Sequence, residues 1–510
     1  MAEKSKLYVI KPLLKWLPAV KKAEGHVQFK TKMLWTGLIV VVYFFLCYVP
    51  IYGLGSGATD MFAQFRTIMA GAQGSLMHLG IGPIVTASII MQLFVGAKII
   101  NLDLSEKEDQ ALYQGAQKFF AILMIIFEAI IMTWGRTLPP SEVLESQLGH
   151  GGGMAMIALQ IGIGAYLIML MDEVVNKWGI GSGISLFIAG GVSVQLITGM
   201  INWVPMSAAS PLSLQNPPAG LMPNLFYTFQ HMNIGEIMGE FERLFLTGMG
   251  TSPNTLVALI GTIIVLFLVV YVESTKVELP ISHGRVRGAR GKYPIKLIYA
   301  SVIPVILVHA VLANISMIAM LLWSRESIPL IGGNAYIGAF SGSNPVSGLA
   351  WYVTGPRGLT EWLFPLINPS TYAYAAHYHA LWSVALHVVL YAALMIGGCI
   401  LFATFWIETT NMGPRSVAKQ IMDSDMQIPG FRRDPRVLER VLKRYIPPIT
   451  VIGAVIVGTL AVGADLIGTV GQAGGMGVLL TAGILIGFYE QMAKEQLVEM
   501  HPVVRRFFEE

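Results

Sequence analysis

The chain has 510 residues, of which 54% are hydrophobic and only 13% charged, with a mean hydropathy of +0.62. A soluble domain carries roughly 25% charged residues, so a soluble globular fold is excluded. The two cysteines, Cys47 and Cys399, both lie inside apolar stretches, which argues against a disulfide framework or a thiolate metal site.

In residues 1–32, Val9, Leu13, Leu14, Trp16 and Leu17 interleave with Lys11, Lys15, Lys21 and Lys22. The pattern predicts a helix lying in the lipid headgroup layer, kept short and broken by Pro12 and Pro18; a disordered basic tail is the alternative. The segment has no apolar stretch ending in small residues, so the first span is expected to act as its own uncleaved insertion signal.

Near-unbroken apolar runs then recur, among them 33–50, 119–134, 255–272 and 384–406. A helix needs about 20 residues to cross the hydrocarbon core. The runs predict ten spans: 33–52, 78–97, 112–134, 153–171, 183–203, 255–273, 297–323, 381–407, 447–468 and 474–493. The second, fifth and tenth are short and rich in glycine, which leaves counts of nine or eleven open.

Between the first two spans lies 59–72, TDMFAQFRTIMAGA, which is compatible with a helix but too short and too polar to cross. It reads either as an ordinary outer loop or as a half-span, which is tolerated at membrane depth only inside protein or a water-filled cavity. The second span opens with GIGPIVTASIIMQL from Gly80; Ile81 and Val85 are four apart and share a face, as do Ile184 and Ile188 in the fifth. Core packing produces the same spacing.

The connections at 204–254 and 324–380 are long and rich in Pro, Gly, Ser and Asn, so they are expected to be mostly loop with a few short helices. The chain therefore divides into a half at 33–203 with five spans, a hinge loop at 204–254, a half at 255–493 with five more, and a tail at 494–510. An odd number of spans per half forces opposite insertion. This predicts an all-α polytopic fold of two inverted pseudo-symmetric halves with a path between them.

Of 34 Lys and Arg, 29 fall on the side that holds the N-terminus, against five on the other (Arg66, Arg136, Arg243, Arg325 and Arg357). The positive-inside rule then puts both termini in the cytosol. Fourteen of the 29 concentrate in two connections, 274–296 and 408–446, the first punctuated by Gly284, Gly288 and Gly291. That density suits a phosphate-rich surface, either anionic lipid or nucleic acid.

Other chemistry is scarce. GARGKYP lacks the earlier glycine and the following Ser/Thr of a phosphate-binding loop. The register of GIGSGI does not fit a nucleophile elbow. His377, His379 and His387 are poorly spaced for a metal. Within the spans ionisable groups are few: Glu128 and Asp465 lie toward the outer side, and Glu273, Glu408 and Glu490 at cytosolic ends. An ion-coupled solute transporter, the alternative reading of an inverted repeat, needs a polar midplane site. An intramembrane enzyme needs paired catalytic groups at depth. Neither a cofactor nor a metal is expected.

GIGPIVTASIIMQL, KWGIGSGISLFIAGGV, HGRVRGARGKYPIKLIYASVIPVILVHAVLANI and KRYIPP closely resemble the SecY family, channel subunits of the Sec protein translocase, in archaeal-like form. The resemblance runs from about residue 15 to 505. It implies a channel that passes unfolded polypeptides across the cell membrane and releases hydrophobic segments sideways. It further implies a pore ring at Ile81, Val85, Ile184, Ile188, Ile306 and Leu480, the last chosen over Leu479. A plug at 59–72 would contain Asp60, Phe62, Phe65, Arg66 and Thr67. Spans 2 and 7 would flank a lateral gate with Thr86, Gln117 and Asn314 as its polar positions. Arg285, Arg287, Arg432 and Arg433 would dock a ribosome. Implied partners are a SecE-type (gamma) subunit, a Sec-β-type subunit, the ribosome, nascent chains with their signal sequences, and membrane lipid.

Overall fold

The computed structural model describes the chain except residues 1–5, 15, 26, 59, 61–64, 67, 103, 105, 136, 208–209, 215, 240, 243–244, 247–253, 284–289, 326–330, 376, 424–425, 428–434, 472–473 and 501–510. Ten helices match the ten predicted spans: α1 (Phe29–Cys47), α2 (Gly82–Gly96), α3 (Lys107–Trp134), α4 (Glu142–Trp178), α5 (Gly183–Ile201), α6 (Leu256–Ser274), α7 (Ile303–Ser324), α8 (Leu381–Thr409), α9 (Pro435–Ile467) and α10 (Gly474–Met500). Among the described residues nine of them are long and apolar enough to cross a membrane, and α2 is a shorter apolar helix.

Local chemistry explains where the boundaries moved. The predicted second span starts at 78, but the chain makes turns until Pro83 at the head of α2 fixes a helical φ. Helix α4 runs 37 residues and is broken at Gly149, whose φ is +73°. Helix α9 begins twelve residues before the predicted span and continues through Pro447 and Pro448. Its leading turns are charged, so hydropathy alone misses them, yet Leu438, Leu442 and Ile446 recur every four residues and are buried.

Within the first half α2 packs on α3, α3 on α4 and α1 on α4; within the second, α8 packs on α9, α9 on α10 and α7 on α8. The halves meet along two seams. One joins α5 and α1 to α10, where Lys32 and Glu495 pair at 2.8 Å. The other sets α2 against α7 and α8. Apolar side chains such as Leu34, Val41, Phe45, Ile260, Phe267 and Val389 face outward, as a bilayer-solvated surface requires.

Two features differ from the sequence expectation. The 274–296 connection, whose glycines suggest a turn-rich projection, is a β-hairpin: β1 (Lys276–His283) pairs antiparallel with β2 (Arg290–Lys296) in register from Lys276↔Lys296 to Ser282↔Arg290. The N-terminal segment is short and broken as predicted, but it docks on protein. A 3₁₀ turn at Lys6–Ile10 and a helical turn at Lys11–Leu14 lie against α3. Leu7 is buried with Met91, Leu112 and Ala116. Tyr8 Oη donates to Asp109 at 2.6 Å, a bond that pushes the phenol up to about 12. Lys118 and Lys177 donate to the carbonyls of Pro18 and Val20 further along.

The long connections are mostly irregular. Residues 324–380 contain a small hairpin, β3 (Ala339–Ser341) with β4 (Asn344–Ser347), and the short helices Leu349–Val353 and Leu359–Ile367. There Trp351 is held between the imidazoles of His379 and His387, with centroids 4.0 and 4.2 Å away. Two of the three histidines noted in the sequence are thus packed on Trp351, and each also contacts a backbone carbonyl, His379 that of Val346 and His387 that of Thr354.

Candidate functional site

The six ring positions come from α5, α7, α10 and the head of α2. Those on α5, α2 and α7 follow a fixed helix start. Asp172, at the end of α4, accepts the backbone N–H of Ile184 at 2.9 Å, which fixes the first turn of α5 and with it Ile184 and Ile188. Proline at the head of α2 and of α7 does the same for Val85 and Ile306. Ile81, Val85, Ile188, Ile306 and Leu480 are buried in one apolar cluster, and Ile184 packs against it half-buried. Leu479 is buried there too.

The cluster also contains Phe65, Ile68, Met69 and Ala70 of the 59–72 segment. Of that segment, Phe62 and Thr67 lie outside the described residues; 65, 66 and 68–70 form turns. One internal ion pair and three bonds to its surroundings hold it. Arg66 pairs with Asp60, Nε to Oδ2 at 2.9 Å, with both side chains over 90% buried. Its guanidinium also donates to the His78 carbonyl. Tyr43 Oη on α1 donates to the Ala70 carbonyl at 2.7 Å, and Ile81 N–H donates to the Met69 carbonyl at 2.7 Å. Gly80 makes the last contact possible: its φ is +59°, and a Cβ there would collide with that same Met69 carbonyl. On the far side Phe65 meets the His309 ring of α7 edge-on at 6.1 Å. Beside the segment a cavity of about 620 Å³ opens, lined among others by Phe65, Ile68, His309, Trp351, Arg357 and Glu361.

Two of the three gate positions meet across the seam. Asn314 Nδ2 on α7 donates to Thr86 Oγ1 on α2 at 3.0 Å. Thr86 in turn donates to the Gly82 carbonyl at 2.9 Å. Gln117 does not join them; its amide donates to Ser88 Oγ, bridging α3 and α2 instead. The sequence reading missed a partner here. Glu128, fully buried on α3, brings Oε1 to 3.4 Å from Thr86 Oγ1, while its Oε2 has no hydrogen-bond partner among the described residues. The signal was present: Glu128 is an acid within the apolar run 119–134, and such a group is costly enough to be functional by default.

The four arginines expected to dock a ribosome, Arg285, Arg287, Arg432 and Arg433, lie outside the described residues. Their surroundings are described. The 408–446 connection contributes β5 (Met426–Gln427), which pairs with Ser282 and His283 of β1 to give a sheet ordered β2–β1–β5. Beneath it Ile295, Val417, Ile421, Leu438 and Leu442 form a small core of their own. Lys296 reaches Glu490 of α10 at 2.7 Å and Glu273 at 3.6 Å. The two basic connections are thus one packed body, joined to the spans by charge pairs.

Comparison with known proteins agrees with this geometry. The SecY family model matches residues 75–489, and that for the plug domain of Sec61p matches residues 41–74. The chain is 43% identical to the protein translocase subunit SecY of Archaeoglobus fulgidus, over 99% of each chain. Among solved structures it is similar to one described as the structure of a protein conducting channel, at 36% identity and a TM-score of 0.76, covering 97% of this chain and 98% of that one. It is also similar to Sec61 in the canine ribosome-channel complex from the endoplasmic reticulum, at 36% identity and a TM-score of 0.72, again covering 97% and 98%.

Proposed function

Because this chain belongs to the SecY family, and so is a multi-pass membrane protein that forms a protein-conducting channel, we propose that its apolar cluster is the resting seal of that channel. Ile81, Val85, Ile184, Ile188, Ile306 and Leu480 form the ring. Residues 59–72 are the plug. The observation that carries this reading is the burial of five ring residues in one cluster with Phe65, Ile68 and Met69. An apolar constriction of this kind blocks water and ions by dewetting, and offers a passing chain no fixed hydrogen bonds that would trap particular sequences.

The seam between α2 and α7 is the lateral gate, with Asn314 and Thr86 as its latch and Glu128 behind them. Gln117 acts one layer away, by holding α3 to α2. A segment whose side chains prefer lipid leaves through this seam. A central Asp, Lys or Arg raises the cost of exit by about 2.5–3.5 kcal/mol, enough to decide between passage and release. The second seam, with the 204–254 loop, is the hinge.

Both termini are cytosolic in this proposal, and the packed body of the 274–296 and 408–446 connections is the docking face for a ribosome. Arg285, Arg287, Arg432 and Arg433 are its phosphate contacts, since arginine engages phosphate through two parallel bonds. The canine relative in its ribosome-channel complex supports this. SecE-type and Sec-β-type subunits complete the assembly. The deciding experiment is site-specific crosslinking of a stalled secretory nascent chain to a photoreactive residue at position 306. Crosslinks there are expected; their absence, with efficient crosslinks to other positions, would remove the pore assignment.

A further inference from the structure

The 204–254 connection contains an 11-residue helix, Leu221–His231, that the channel reading leaves without a task. One face is occupied. Leu221 is buried with Ala258 of α6 and Val470, and Met200, Leu225 and Leu259 pack around them. Asn224 and Thr228 are buried on the same side. The opposite face is apolar and open: Met222, Phe226 and Phe229 are 46%, 61% and 57% exposed. Spaced by four and three residues, they form a single stripe.

The helix is held firmly at the level where the chain leaves one span and re-enters the next. Gly220 N–H donates to the Asn202 carbonyl at 2.8 Å, one residue beyond α5. Ala219 N–H donates to Val204 at 2.9 Å, and Asn254, just before α6, donates to the Ala219 carbonyl at 2.8 Å. A Cβ on Gly220 would strike the Asn202 backbone, so the close approach depends on glycine. The exposed stripe continues that of α5. Val194, Ile197 and Ile201 lead outward along the lipid-facing side, then Trp203 and Val204, and the Trp203 ring meets Phe226 at 6.1 Å.

We propose that Leu221–His231 is an interfacial anchor whose Met222–Phe226–Phe229 stripe lies in the bilayer leaflet on its side of the membrane. An aromatic pair at the end of a span is the composition of the membrane–water boundary. An amphipathic helix fixed there places its apolar face into the acyl boundary and its polar end toward water. At the polar end His231 is exposed, on the side of the helix away from the stripe. The occupant is lipid rather than a protein groove because the stripe is continuous, through Trp203, with the exposed apolar side of α5, a helix long and apolar enough to cross the bilayer. The anchor would hold the loop between the halves at constant depth while they move.

The test uses the full chain with its partner subunits in liposomes. Spin labels are placed on Met222→Cys, Phe226→Cys, Phe229→Cys and His231→Cys in a background lacking Cys47 and Cys399. Collision with oxygen, which concentrates in acyl chains, is compared with collision with a water-soluble nickel chelate. The expected oxygen-to-nickel ratio is severalfold higher at 222, 226 and 229 than at 231. Equal ratios would overturn the proposal, as would low collision with both reagents at the stripe, which would mean that a protein surface covers it. A reading free of cysteine changes is quenching of Trp203, taken as the difference between the native chain and Trp203→Phe. Lipids brominated near the headgroup end of the acyl chain should quench it more strongly than those brominated near the bilayer centre; no quenching by either would also overturn it.

Discussion

Asn314 on α7 donates to Thr86 on α2 at 3.0 Å, with the buried Glu128 carboxylate 3.4 Å beyond. The three come from three helices, and the pair Asn314–Thr86 spans the seam between the halves. In a hydrocarbon setting such a bond contributes about 0.6–1.7 kcal/mol. It places a polar contact within the seam between α2 and α7.

Replacing Asn314 with Leu is therefore expected to ease opening by about 1 kcal/mol. Segments of borderline hydrophobicity should then leave for lipid more often. The measurement is the fraction of a graded hydrophobic series that integrates, and its midpoint should move toward less hydrophobic segments. An unmoved midpoint would show that the bond plays no part in the threshold.

A second expectation concerns the seal. Ile188 is fully buried and Ile306 nearly so, and the dewetted state depends on apolar walls. Ile188→Asn or Ile306→Asn should give resting channels that conduct small ions in planar bilayers, where the native protein is silent. Tight recordings from both variants would count against the ring.

The plug offers a test of sign. Removing one member of a buried ion pair leaves an uncompensated charge, at a cost of about 3–5 kcal/mol, whereas removing both costs much less. Arg66→Ala should thus unseat the plug and raise the ion leak, and Asp60→Ala with Arg66→Ala should leak less than Arg66→Ala alone. If the double variant leaks more, the pair acts through its separate contacts, such as the Arg66 bond to the His78 carbonyl, and not as a pair.

On the basic face, Arg285→Glu with Arg432→Glu should weaken ribosome binding. A lost charge-assisted contact is worth about 1.5–3 kcal/mol, so affinity should fall at least about a hundredfold for the pair. The remaining binding should depend less on salt. Unchanged affinity with an unchanged salt slope would assign the arginines to topology alone.

The rough positions of the apolar helices were readable from the chain because partition into hydrocarbon is a property of each segment by itself. A run such as 255–272 must cross wherever its neighbours go, and α6 was found within two residues of expectation. Pro83 and the glycines at 80 and 82 likewise announced a relaxed helix start. The motif match carried the ring positions, and these came together in the cluster. Burial of the leading turns of α9 was legible in principle, in the spacing of Leu438, Leu442 and Ile446, but mean hydropathy conceals a stripe on a charged helix.

What the sequence could not supply was which side chains meet. That depends on helix rotation and crossing, which no single segment encodes. Gln117 and Asn314 look equally suited to the gate in the sequence, yet packing sends one to Ser88 and the other to Thr86. Glu128 becomes a gate partner only once α3 lies against α2. The pairing of β1 with β5 joins two connections more than a hundred residues apart, because the helices between them return the chain to the same face. Composition and the run lengths of apolar residues determined that this protein lives in a membrane and crosses it many times. The tertiary structure alone decided which side chains share the central apolar cluster and that Asn314 meets Thr86 across the seam, since both are contacts between segments.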